Sequence, residues 1–496
     1  MKAHIRRKPW KYNLLILMAF PFGAGYGQDS AGKPVPPDSS LFHHVQRSDT
    51  IPVNGRVTVY IIGNIVISGN RKTKTYIIER ELPFKRGDSI RLPELADALV
   101  KSKEQLINTR LFNDVIISLK GFRGYAADIE IDVKERWYIF PIPYVQPVDR
   151  NFTAWAEKNY SLSRLNYGLR FAYYNFTGRN DLLRIWLITG YTKQIEFAYD
   201  QPYIDKSLRH GLGIGFTYAA LNELNALTLE NQQYFINSDT IPYSGKFLRE
   251  QMSVSLRYYF RPAIRTKHFL RLSFNTYKID SAVTVWNGHY FNNNLTRIFF
   301  PELSYVMNYN NVDYVAYPLT GLLFETGLLQ RGINSDMHLT QLYAKTVRAW
   351  PLGKKFFFVT QNMGLLKLPF NQPFFNQQLL GYGEFYIRGL EKYVVDGVTG
   401  GLVRNTVLKE LFNFSLPFIR GSSHDRIPFR IFAKTYVDGG YVYNKYVTTN
   451  SLVNRFLYSG GAGVDVVTFY DFVFRFEYSF NQLGERGFFF HIKNDF

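Results

Sequence analysis

The chain has 496 residues, no cysteine, 17% aromatic side chains and a formal charge of +19. Mean hydropathy is slightly negative, and no run of about 20 apolar residues follows the N-terminus, which excludes a bundle of membrane-spanning helices. The Lys and Arg residues stand singly, many at every second position, which argues against a nucleic-acid surface and suits a charged lumen or anionic lipid head groups.

Met1–Lys11 is basic, Tyr12–Phe22 is apolar, and Gly23, Ala24, Gly25 and Gly27 form a small-residue exit. This order predicts a secretory signal peptide over residues 1–27, whose apolar run is too short to span a membrane comfortably. No Cys follows it, which argues against a lipoprotein anchor, and stability after export cannot rest on disulfides. Cleavage removes five basic residues and no acid, leaving a net charge of about +14. Residues 28–55, rich in Pro, Ser, Asp and Gly without periodicity, predict a flexible leader.

Residues 56–137 differ in kind. Val57–Ser68 is β-branched and ends at the turn Gly69-Asn70. Lys74–Leu82 predicts a short helix, and Leu92–Leu111 a longer one with Leu95, Ala98, Leu99, Ser102 and Leu106 at helical spacing. Strands follow at Val115–Leu119 and Ala127–Val133. The order β-α-α-β-β makes a small α+β domain, with Asp114–Leu119 a candidate free edge. The words Gly69-Asn70, Arg80-Glu81-Leu82, Gly87, Leu111-Phe112 and Val133-Lys134-Glu135, in this order and spacing, resemble a single polypeptide-transport-associated (POTRA) repeat.

From 138 to 496 the chain is a series of alternating segments. In Phe472–Phe480 five aromatics take one face, while Val473, Arg475, Glu477 and Ser479 take the other. Arg170, Arg257 and Arg271 likewise sit on the parity opposite their apolar neighbours. A charge on the lipid face costs roughly 2–4 kcal/mol at the bilayer midplane, so this segregation is what a transmembrane antiparallel β-barrel needs. A soluble sandwich also alternates, but not with this length and this density of Phe and Tyr on one parity. At about 22 residues per strand and connection, the segment predicts about sixteen strands. Gly178-Arg179-Asn180 and Tyr203-Ile204-Asp205 read as short turns, and Leu221–Lys246, Asp280–Thr296 and Asn371–Gly401 as long irregular loops at the other end. In the last segment Phe488, Phe490, Ile492 and Phe496 share the apolar face. Such an edge would aggregate unless the last strand closed against the first.

The longest irregular stretch holds Ile387-Arg388-Gly389-Leu390, and two strands later comes Tyr436-Val437-Asp438-Gly439-Gly440. Tyr436, Asp438 and Gly440 share parity with Arg430 and Lys434, so Asp438 is expected to face the lumen. An Arg at a loop tip can fork onto such a carboxylate, with Gly389 allowing close approach. Glu410, a second candidate acidic partner, shares parity with Phe412, Phe414 and Leu416, so without a bulge it would face lipid.

Together with the POTRA-like segment and the terminal Phe496, these two words resemble the barrel-assembly and two-partner-secretion superfamily of outer-membrane proteins (bacterial surface antigen, BamA-like). Leu390 and Asn494 depart from the family pattern. The resemblance implies a barrel in a Gram-negative outer membrane with its N-terminal domain in the periplasm. It implies assembly or insertion of other barrels, or translocation of polypeptide, by sideways opening of a seam between first and last strands. Pro141 and Pro143 on one side and Gly484 and Gly487 on the other would weaken that seam, or the prolines simply form the hinge that follows the POTRA-like segment. Expected partners are unfolded outer-membrane or secreted polypeptides, outer-membrane lipids and periplasmic accessory proteins, with no nucleic acid. A passive channel or receptor is the alternative. No Gly-x-Ser-x-Gly word, metal-ligand spacing or phosphate loop appears, and His210, His268, His424 and His491 read as lumen or rim residues. Neither an enzyme nor a cofactor or metal is expected.

Overall fold

The computed structural model describes residues 58–147, 162, 165–241, 245, 247–334, 336–417, 426–445 and 450–493. The segments read as signal peptide and leader, and His424, Asn494 and Phe496, lie outside the described residues.

The N-terminal domain comprises β1 (Val59–Ser68), α1 (Thr75–Glu79), β2 (Ser89–Arg91), α2 (Leu92–Asn108), β3 (Phe112–Arg123) and β4 (Ala126–Glu135). Its sheet runs β2-β1-β4-β3, with β1 and β4 parallel. The α2 stripe Leu95, Ala98, Ser102 and Leu106 is buried, in a core with Ile62, Ile77, Phe112, Ile129 and Ile131. β2 was not expected, because three residues are too short for a period to register in the sequence. As expected, β3 holding Asp114–Leu119 ends the sheet.

Sixteen strands, from Ile139–Pro147 to Arg486–Lys493, form one sheet in which each strand pairs antiparallel with its neighbours. None of the three long connections is irregular throughout: the second, Asp280–Thr296, holds the short helix Ser281–Trp286. The first long loop contains the hairpin Glu223–Leu229 with Gln232–Asn237, and the third gives up Thr399–Gly401 to the strand Thr399–Pro417. Among the described residues no helix is long and apolar enough to cross a membrane; the crossing elements are strands.

The period of two sorts side chains as the sequence predicts. On the strand Val473–Asn481, Val473, Glu477 and Ser479 are buried, while Phe476, Tyr478 and Phe480 are exposed beside Phe488, Phe490 and Ile492 of the last strand. An apolar outer face and a polar inner one is a transmembrane barrel wall. Near the end that carries the N-terminal domain, His210 stacks on Phe260, Phe260 on His268 and His268 on Tyr305. These rings share the outward parity of Val254, Leu256 and Leu270, and make part of an interfacial aromatic girdle. His210 and His268 are thus rim residues.

The sheet curls so that its ends approach. Phe140 of the first strand packs on Tyr470, which leads into the penultimate strand, at 6.0 Å between ring centroids. Yet among the described residues no ladder joins the first strand to the last. The Tyr174 N–H donates to the Tyr138 carbonyl (2.9 Å), and the register then runs unbroken to Pro147↔Leu165. Even-numbered backbone groups therefore face the second strand, and those of Ile139, Pro141, Pro143, Val145 and Pro147 face the open edge. Three of these five residues are prolines with no N–H to offer.

Candidate functional site

The connection between the strands Phe356–Leu368 and Thr399–Pro417 folds into the lumen. Its apolar side chains, Leu380, Phe385, Ile387, Leu390 and Val395, pack with Leu402, Val442 and Leu457 of the wall. Leu390, where the resemblance calls for an aromatic, is 1% exposed in this cluster. Val394 N–H donates to the carbonyl of Asn231, on the hairpin from across the lumen, at 2.8 Å.

Arg388 stands at the centre of the contact. Its Nε donates to Asp438 Oδ2 at 2.8 Å, Nη2 donates to Asp438 Oδ1 at 2.6 Å, and its backbone N–H reaches Oδ2 at 3.2 Å. Nη2 also donates to Thr406 Oγ1 at 3.0 Å, Nη1 lies 3.8 Å from Glu477 Oε1, and the guanidinium carbon sits 3.9 Å from the centre of the Tyr436 ring. A planar fork with an aromatic beneath it suits Arg and not Lys. Arg388 is 8% exposed and Asp438 1%.

Two glycines make this approach. Gly389 has φ +85°, and a Cβ there would lie 2.9 Å from Ser479 Cβ. At Gly440 a Cβ would lie 2.8 Å from Ile387 Cδ1, so the wall is bare where the loop presses on it.

Arg404, opposite Asp438 in register, was missed by the sequence reading. Its Nε donates to the Tyr386 carbonyl at 2.9 Å and its Nη2 to the Glu384 carbonyl at 3.1 Å, and the guanidinium stacks on Tyr386 at 4.1 Å. It shares the parity of Glu410, so alternation counted back from Phe412, Phe414 and Leu416 sends it to lipid, and no signal in the sequence marks it. Below, Lys434 bridges Asp465 (2.5 Å) and Glu477 (2.7 Å), all three buried. The loop is also tied to the last hairpin: Asn481 Nδ2 donates to the Gly389 carbonyl, and the Tyr393 hydroxyl to Glu485 Oε1, both at 2.8 Å. Gly484 turns that hairpin with φ +75°, and Gly487 is the second residue of the last strand.

Glu410 faces inward and accepts from Arg430 Nε at 3.0 Å. The register slips between Glu410 and Phe412, and this bulge at Leu411 reverses the parity that would otherwise send Glu410 to lipid.

A second polar contact joins the N-terminal domain to the barrel turns. Buried Glu81 accepts from both terminal nitrogens of Arg261, at 2.5 and 2.7 Å. Arg80 donates to the carbonyls of Leu208 and Arg261 at 2.7 and 3.1 Å. Arg136 forks onto Asp471, and Lys74 N–H donates to the Gly178 carbonyl at 3.0 Å. Leu82 and Phe112 stay in the domain core, Gly69 and Gly87 occupy turns with positive φ, and Asn70 Nδ2 donates to the Thr73 carbonyl at 3.0 Å.

The family model described as POTRA, surface antigen variable number repeat, matches residues 60–136. This segment is a POTRA domain. The chain thus carries one POTRA domain ahead of a sixteen-stranded sheet with the faces of a transmembrane barrel. No curated protein matches its sequence. Among solved structures it is similar to BamA from Haemophilus ducreyi lacking POTRA domains 1–3, with 17% identity over 87% of this chain and 84% of that one and a TM-score of 0.46. It is also similar to CdiB from Escherichia coli, with 10% identity over 92% of each chain and a TM-score of 0.45. CdiB from Acinetobacter baumannii follows, with 13% identity over 88% of this chain and 73% of that one and a TM-score of 0.44.

Proposed function

We propose that this protein inserts or translocates polypeptide at the outer membrane through a seam between its first and last barrel strands. The observation that carries the reading is the open edge of Ile139–Pro147. Outward groups that are proline at 141, 143 and 147 cannot close a full ladder with the last strand. An incoming strand would pair with the remaining edge groups by β-augmentation, while outer-membrane lipid solvates Phe488, Phe490 and Ile492. The POTRA domain, in the periplasm, would present the edge of β3 to arriving chains or accessory proteins. Arg388 and Asp438 would hold the loop inside the lumen, with Ile387 and Leu390 packed against Gly440 and the wall, so that the last hairpin moves against a fixed plug. A lumen occupied by this loop also speaks against a steady open pore.

Depletion followed by an inventory of outer-membrane proteins tests this function. Broad loss of barrels means a general insertase, and loss of one client a dedicated translocator. An unchanged inventory with large, steady conductance in liposomes would return the passive channel.

A further inference from the structure

Three polar atoms converge beside the loop tip, each buried and without a hydrogen-bond partner: Glu391 Oε1, Glu477 Oε2 and His491 Nε2. They lie within 4.8 Å of one another, although they come from the loop, the penultimate strand and the last strand. The other oxygens are engaged. Glu391 Oε2 accepts from the Gly389 N–H at 2.7 Å, and Glu477 Oε1 pairs with Lys434 Nζ at 2.7 Å. The His491 ring rests against Tyr386.

Glu477 is 1% exposed, so its second oxygen is a buried charged atom aimed into the cluster with nothing to receive it. A proton on His491 Nε2 does not satisfy the geometry. Nε2 stands 3.4 Å from Glu391 and 3.5 Å from Glu477, whereas a charge-assisted N–H···O bond is about 2.7–2.9 Å long, and one N–H cannot point at both oxygens. These two spacings from the imidazole are ones that a metal's ligands keep. Ligand atoms about 2.0–2.2 Å from a tetrahedral Zn2+ are about 3.3–3.6 Å apart.

We propose that Glu391, Glu477 and His491 form a binding site for a borderline divalent cation of the Zn2+ type, with a fourth position open to lumen water. Binding would displace any proton on the imidazole and join three separate parts of the barrel: the lumen loop, the penultimate strand and the last strand. The cation would therefore clamp the last strand to the loop. Only this consequence rests on the seam proposed above; the binding itself does not.

The test uses the full chain in detergent, stripped with a chelator and titrated with ZnCl2 alone by calorimetry, with the bound metal counted by mass spectrometry. About one Zn2+ per chain is expected, with at least about tenfold weaker binding in Glu391→Gln and in His491→Gln. Both side chains are partly exposed, and heat-modifiable migration on gels reports whether each variant folds. Chains without bound Zn2+, or variants binding as tightly as the parent, would overturn the site. Should a variant fail to fold, the unmodified chain still answers: Zn2+ must protect His491 from acylation by diethylpyrocarbonate, and undiminished modification would overturn the proposal. Because neither readout involves client polypeptide, failure here is distinct from failure of the function proposed above.

Discussion

Replacing Arg388 with Ala leaves Asp438, 1% exposed, without the two side-chain donors at 2.8 and 2.6 Å. Stranding one partner of a buried pair costs about 3–5 kcal/mol. The lower end, about 3 kcal/mol, is expected here, because Arg404 lies opposite Asp438 and continues to offset its charge. The reverse change should cost more. Asp438→Ala leaves two buried cations side by side, with Thr406 at 3.0 Å, Glu477 at 3.8 Å and the Tyr436 ring left to hold Arg388. The double variant should cost less than the sum of the singles, with a coupling of about 2 kcal/mol, inside the range of about 0.5–3 kcal/mol that contacting residues show. Reversible urea unfolding in lipid vesicles, followed by Trp fluorescence and heat-modifiable migration, measures all four corners of the cycle. Protease cleavage of residues 381–396 reports separately whether the loop has left the lumen. A coupling below about 0.5 kcal/mol, or a loop as protected in Arg388→Ala as in the parent, would refute the pairing as what holds the loop. Exchanging the charges, Arg388→Asp with Asp438→Arg, should recover part of the loss seen in either single reversal.

Glu81→Ala leaves Arg261, which is 8% exposed, with the Tyr203 hydroxyl and the Ile264 carbonyl but no carboxylate, and should weaken docking of the POTRA domain by about 3 kcal/mol, the lower end for a broken buried pair, read as new protease cleavage near residue 137; unchanged protection would remove this pair from the junction. Glu104 on α2 is pushed up from an ordinary 4.5 to about 7, first by burial and then by Asp313. The folded protein holds that proton where the unfolded chain has released it, so stability should fall as pH rises from about 4.5 to about 7. Glu104→Gln should abolish this fall; a melting-temperature difference between parent and variant that does not vary across the window would contradict it.

The period of two carries a great deal. It told which side chains face lipid and placed Arg430, Lys434, Tyr436 and Asp438 on one inner row, because a barrel wall offers only two environments, while the length of the segment gave the strand number. What it could not carry was anything that breaks or crosses the period. The extra residue Leu411 leaves no mark in the alternation of Phe412, Phe414 and Leu416, so the inward turn of Glu410 was illegible. Arg404 shares the parity of Glu410 and was hidden by the same bulge, and its grip on Tyr386 needed the register that sets it opposite Asp438. Arg80 and Glu81 were visible as a motif word, while their role depends on turns more than a hundred residues away at Leu208 and Arg261. Glu391, Glu477 and His491 have no local spacing to find, since strand pairing and loop entry bring them together.

The seam itself can be tested most directly by tying it shut. The chain has no cysteine, so Val145→Cys with Phe488→Cys introduces the only thiols, one on each lip. Oxidised to a disulfide, this variant should fold and reach the outer membrane yet lose assembly or export of its client polypeptides, and a reductant should restore both. Full client handling with the disulfide intact would contradict a laterally opening seam.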